Sequence, residues 1–190
     1  MASALETLCG QAFGAQQYHM MGVYMQRSCI VVFVVAVLLV PTYIFATPIL
    51  KLIGQSHDIA ELSGAISICL IPQHFAYVFM FTFQRYLQSQ LKNMITAWIA
   101  AVAFAIHIFL SWLFMIRFDM GVIGAAMTLN ISGWVPPIAQ LIYIVCGGCP
   151  QTWNGLSIHA FDDLWPYAKL SVASGVMIWY VIHNKESFLC

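Results

Sequence analysis

Four long stretches without a charged side chain dominate this sequence. Twenty-three residues separate Arg27 from Lys51, 23 separate Glu61 from Arg85, and 24 separate Lys92 from Arg117. A further 42 lie between Asp119 and Asp162, apolar as far as about Val145. A helix of about 20 apolar residues crosses the hydrocarbon core of a bilayer. Spans are therefore expected at about Cys29–Leu50, Leu62–Gln84, Ile95–Ile116 and Val122–Val145. Lipid offers backbone N–H and C=O groups no partner, so these spans must be helices. The short alternating strands of a membrane barrel are not in the pattern.

Composition agrees. Hydrophobic residues make up 62% of the chain and charged residues 7%, against about 25% charged in a soluble domain. Seven basic and seven acidic side chains cannot cover a soluble globule of 190 residues. The same figures exclude a disordered chain. A net charge of zero leaves no electrostatic footprint for nucleic acid. The expected fold class is an all-α membrane protein, a polytopic helical bundle whose first partner is the lipid bilayer.

The ends look incomplete. Met1–Phe13 reads as the end of a helix without a beginning, and it lacks the basic start and small-residue cleavage site of a signal peptide. Leu170–Asn184 is an uncharged run of 15 residues, short for a span. Loop charges set orientation. Arg27, Arg85 and Lys92 outnumber Lys51 and Arg117, which puts Gln16–Gln26, Leu87–Asn93 and Gly147–Trp165 in the cytoplasm. The last of these is polar and Gly-bearing, the composition of a flexible linker.

Prolines punctuate three of the four spans: Pro41 and Pro48, Pro72, and the pair Pro136-Pro137. Each removes a helical hydrogen bond and favours a kink, and transporters use broken helices to line cavities. Proline is also simply commoner in membrane helices than in soluble ones. Small residues at four-residue spacing (Ala97, Ala101, Ala105), with Gly121, Gly124, Ala125 and Ala126, and Ser171 with Gly175, are read as helix-packing faces.

Polar groups within spans are costly and so more telling. His107 lies near the middle of the third span. It can relay protons, or hydrogen-bond a neighbouring helix as a neutral ring. Asn130 shares a face with Ala126, Gly133 and Pro137, flanked by Thr128 and Ser132. Its amide can hold a polar solute or join helices. Gln73 and His74 beside Pro72 form a third polar point. No carboxylate falls inside a complete span. Cys146-Gly147-Gly148-Cys149 is an isolated C-x-x-C, with only His159 nearby as a further metal ligand. No metal site and no cofactor is expected, and no hydrolase or nucleotide-binding motif is present.

Several ordered blocks are familiar. Met1–Ala15 resembles the signature of plant-type multidrug and toxic compound extrusion (MATE) transporters. So do Gln17-Tyr18-His19, Gly22–Ser28, Phe45–Leu50, Ala60–Gly64, Ile71–Phe75, Gln84–Gln90, Gly121–Ser132, Cys146–Pro150 and Lys169–Met177. The resemblance implies part of the first lobe of a twelve-helix, two-lobed antiporter. Residues 1–146 would be a partial N-terminal lobe: the end of the second helix and helices three to six. Residues 147–165 would be the cytoplasmic inter-lobe linker, and residues 166–190 a truncated seventh helix with an atypical tail. The family exchanges protons, or sodium in some branches, for organic solutes such as organic cations, flavonoids or organic acids, in the plasma or vacuolar membrane. Its plant members carry an acid just after the Val-Met of the seventh helix. Here Val176-Met177 is followed by Ile178-Trp179-Tyr180, so that coupling acid is not carried over.

The resulting expectation is a proton-coupled exporter of organic solutes and xenobiotics, not an enzyme. Its substrate-cavity candidates are Asn130, His107, Gln73, His74 and Thr128. The alternative is a non-transporting short product that at most associates with a full-length homologue.

Overall fold

The computed structural model describes residues 2–153, 155–157, 160–161 and 164–187. Every regular element among them is helical, with no strand. In chain order they are α1 (Ala2–Gly14), α2 (Tyr18–Ile44), α3 (Ala46–Leu52), α4 (His57–Cys69), α5 (Ile71–Ser89), α6 (Asn93–Ser111), α7 (Gly121–Tyr143) and α8 (Leu164–Ser187). Wider π turns, Trp112–Arg117 and Ile144–Gly148, extend α6 and α7. Tyr18–Ile44, Asn93–Arg117 and Gly121–Gly148 are each long and apolar enough to cross a membrane, and α4 and α5 are so only taken together, across a 50° bend.

The first span is shifted from its expected place. α2 begins at Tyr18, so most of the expected Gln16–Gln26 loop is helix, and Arg27 lies within it. A charge limits the apolar run but not the helix, because a helix carries its own backbone hydrogen bonds out into water. The helix then stops at Ile44, three residues after Pro41. Phe45 breaks the line (φ −93°, ψ 18°) and α3 restarts with Pro48 in its first turn. The second span breaks in the same way at Leu70 (φ −90°, ψ 0°). Pro72 sits in the first turn of α5, where a missing N–H costs nothing. The pair Pro136-Pro137 stays inside a continuous α7.

Packing divides the chain into two compact units. One comprises residues 1–32, 81–93 and 142–190; the other comprises residues 33–80 and 94–141. In the first, α1 packs on α8. Its core holds Leu5, Cys9, Met21, Met25, Tyr86, Leu87 and Ile144, all fully buried. Glu6 pairs with Arg85 at 2.6 Å.

In the second unit α3 folds back on α4. Gly64 makes this approach possible, since a Cβ there would overlap the Thr47 hydroxyl. At the turn end of this hairpin Lys51, His57 and Glu61 lie within 3.0–3.5 Å of one another, outside the apolar runs. On α6 the structure reverses the expected packing face: Ala97, Ala101 and Ala105 are exposed. The inward side is Thr96, Ala103 and half-buried His107, a seven-then-four spacing that follows one helix face. On α7 Gly124 and Ala126 are buried as expected, whereas Ala125 is half-buried and Gly121, at the helix start, is exposed. Trp98, Phe104, Ile108 and Ile116 stand exposed on the α6 span, and only 6% of its apolar stretch is buried within the chain. Such a surface suits lipid.

Candidate functional site

The second unit gathers most of the polar candidates along α7. Asn130 is half-buried. Its Nδ2 donates to the Cys69 carbonyl (2.7 Å) at the end of α4 and to the Ala126 carbonyl (2.9 Å) one turn back on α7. Both N–H groups are thereby used, which fixes the amide orientation and leaves Oδ1 purely an acceptor. That oxygen is buried and has no hydrogen-bond partner.

Gln73 lies in the first turn of α5 and is 7% exposed. Its Oε1 is likewise buried without a partner. It rests against Gly133, where a Cβ would overlap the amide. Residues 130 and 133 share a face of α7, while 69 and 73 bracket the α4–α5 bend. The two orphan oxygens therefore belong to one contact between the bend and α7.

His107 reaches α7 from α6, with Nδ1 2.9 Å from Ser132 Oγ. The Ser132 hydroxyl donates its single proton to the Thr128 carbonyl at 2.7 Å. It can therefore only accept from the imidazole, which assigns the proton to Nδ1. Thr128 is fully buried and donates to the Gly124 carbonyl at 2.9 Å, so its hydroxyl is occupied within its own helix.

His74 turns elsewhere. Its Nε2 lies 3.3 Å from the Ala36 carbonyl, an acceptor, and its Nδ1 lies 3.4 Å from Tyr43 Oη. The imidazole thus donates to one part of α2 and accepts from another, with its ring 5.0 Å from that of Tyr43. Of the five candidates, Asn130, Gln73, His107 and Thr128 share α7 or face it, and His74 joins α5 to α2.

Three partners were passed over as site residues in the sequence: Gly133, Ser132 and the Cys69 carbonyl. A main-chain acceptor leaves no trace in the residue type. Gly133 and Ser132 share the face and neighbourhood of Asn130, and that helical spacing was the available signal.

A second polar cluster lies in the first unit. Gln26 clasps the chain after the C-x-x-C: its Nε2 donates to the Gly155 carbonyl and its Oε1 accepts from the Ser157 N–H, both at 2.9 Å. Tyr86 Oη donates to Thr152 Oγ1 (2.9 Å), and Thr152 Oγ1 donates to Gln90 Oε1 (3.1 Å). Lys92 donates to the Gly148 carbonyl and lies 3.3 Å from Cys149 Sγ. At Gly22 a Cβ would come within 2.9 Å of the Thr152 carbonyl. The expected flexible linker is therefore tied down over its described part, because side-chain amides and hydroxyls supply the partners that a helix would have supplied.

Cys146 is exposed and Cys149 buried, both as free thiols. His159 lies outside the described residues. Among the described residues no group of three or more His, Cys, Asp or Glu side chains is placed to hold a metal ion.

The MatE family model matches residues 1–113, more than half of the chain. The chain belongs to the MatE family. Among its relatives, Protein DETOXIFICATION 27 of Arabidopsis thaliana is 58% identical over 184 residues, which is 95% of this chain and 38% of the relative. Protein DETOXIFICATION 28 of the same plant is 53% identical over the same shares. The crystal structure of the eukaryotic MATE transporter AtDTX14 superposes with a TM-score of 0.83 at 30% identity, covering 88% of this chain and 38% of that one. This MatE chain thus spans a little over a third of the length of these relatives. It is an integral membrane protein with the all-helical fold of part of such a transporter.

Proposed function

We propose that this chain forms part of a secondary transporter that exports organic solutes in exchange for protons. Residues 1–146 act as part of the first lobe, residues 147–165 as the cytoplasmic connection, and residues 166–190 as the start of the next lobe. Transport proceeds by alternating access around a site near the bilayer midplane. The observation that carries the reading is the pair of buried acceptors without partners, Gln73 Oε1 and Asn130 Oδ1, at a bent span. Buried polar groups in a membrane helix are costly to keep unless something binds them. The remaining candidates support this pair. Ser132 holds His107, and Thr128 anchors the turn that presents Asn130.

Glu6, the one acid in the first helical segment, is already paired with Arg85. His107 donates from Nδ1 to Ser132 Oγ, which leaves Nε2 as the acceptor nitrogen of the ring.

Proteoliposomes loaded with a fluorescent organic cation test the reading. Efflux should depend on an imposed proton gradient and fall at least about tenfold in Asn130→Ala, which removes a group we place against the solute. Gradient-independent leakage, unchanged by that substitution, would rule the reading out.

A second reading draws on the exposed Ala97, Ala101 and Ala105 stripe, a surface suited to close helix approach. In that reading the chain moves nothing itself and associates with a full-length homologue. Co-purification with a longer relative, lost on Ala101→Leu, would favour it.

A further inference from the structure

Gln73 and Asn130 meet the α4–α5 bend with a particular chemistry: two acceptors and no charge. The orientation of Asn130 is fixed by its two donated bonds, so Oδ1 cannot become a donor by an amide flip. Gln73 Oε1 faces Gly133, the one position on that face of α7 with no side chain to crowd it. The stretch between Glu61 and Arg85, and α7 throughout, contain no charged residue. A neutral acceptor buried at membrane depth gains most from an N–H or O–H group. It gains far less from a charge that brings no donor.

We propose that Gln73 Oε1 and Asn130 Oδ1 form a two-acceptor clamp that selects solutes by hydrogen-bond donors rather than by charge. The clamp takes primary amines and neighbouring hydroxyls and discriminates against their fully methylated counterparts. This inference rests on the reading that the α7 polar line faces the solute. It adds which feature of the solute is recognised. A site built to receive donors rejects analogues that lack them strongly, because its acceptors are left unmet.

All the residues involved belong to the second unit, so the test uses this chain in lipid nanodiscs. Calorimetry compares two matched pairs of probes: benzylammonium with benzyltrimethylammonium, and catechol with 1,2-dimethoxybenzene. The donor-bearing member of each pair should bind roughly tenfold or more tighter. Gln73→Leu should erase most of that preference. Because this oxygen has no partner to lose, the variant should keep its melting temperature, which guards against a folding artefact. Equal affinities within each pair would overturn the clamp while leaving the solute-facing reading intact. A donor preference that survives Gln73→Leu in the folded variant would also overturn it. Failure of all four probes to bind would overturn both.

Discussion

At the residue scale, the polar side chains of the second unit differ in how fully their hydrogen bonds are met. Ser132 is doubly committed, accepting from His107 and donating to Thr128. Ser132→Ala strands the imidazole N–H, and should cost about 1–2 kcal/mol, seen as a lower melting temperature in detergent. His107→Phe combined with Ser132→Ala should cost less than the sum of the two, since both report one bond. Gly133→Ala makes a sharper test. Alanine favours a helix over glycine by about 1 kcal/mol, and the atom it meets is the movable end of Gln73. The fold should therefore hold its melting temperature while solute binding weakens severalfold, measured by calorimetry on the same preparation. Sequence spacing made Asn130, His107 and Gln73 legible as polar points at membrane depth. It could not reveal that Asn130 leans on a main-chain carbonyl, or that His74 turns to α2, because neighbouring helix positions point about 100° apart.

At the scale of elements, charge spacing located three membrane-long helices and the bent α4–α5 pair, because no charged residue interrupts the apolar runs. Their ends were less legible. Arg27 marks where apolar sequence begins, and α2 begins nine residues earlier, at Tyr18. The π turns after α6 and α7 carry no composition signal, although Gly147 at φ +98° marks the second one as a place only glycine occupies comfortably. The α6 face was misread because alanine suits a packed seam and a lipid-facing surface equally. Pro72 has a definite consequence: its missing N–H and its ring disfavour a straight helix through Leu70. Pro72→Ala should therefore straighten the 50° bend between α4 and α5. Spin labels at Leu62 and Tyr77, both exposed, should move apart by about 2 Å in electron-spin distance measurements. An unchanged distance would mean that the contacts of Asn130 with Cys69 and of Gln73 with Gly133 hold the bend by themselves.

At the scale of the whole molecule, the clasp around Gln26 was the feature least visible in the sequence. Its amide joins residues 129 and 131 positions away, and no local pattern announces such a pairing. Gln26→Ala removes both bonds, and each is worth about 1 kcal/mol. Backbone hydrogen exchange around Gly155–Ser157 should then quicken severalfold, by mass spectrometry of the intact chain, with exchange in α6 unaffected. The distance along the chain also sets a timetable for biogenesis. A ribosome needs on the order of 10 s to add some 130 residues. Through that interval α2 is already in the membrane, and the glutamine waits with its amide in water. Every intervening span must be threaded before the ring can close, so a translocon that misplaces one hairpin should leave an open first unit whose unclasped end marks the nascent protein for quality control.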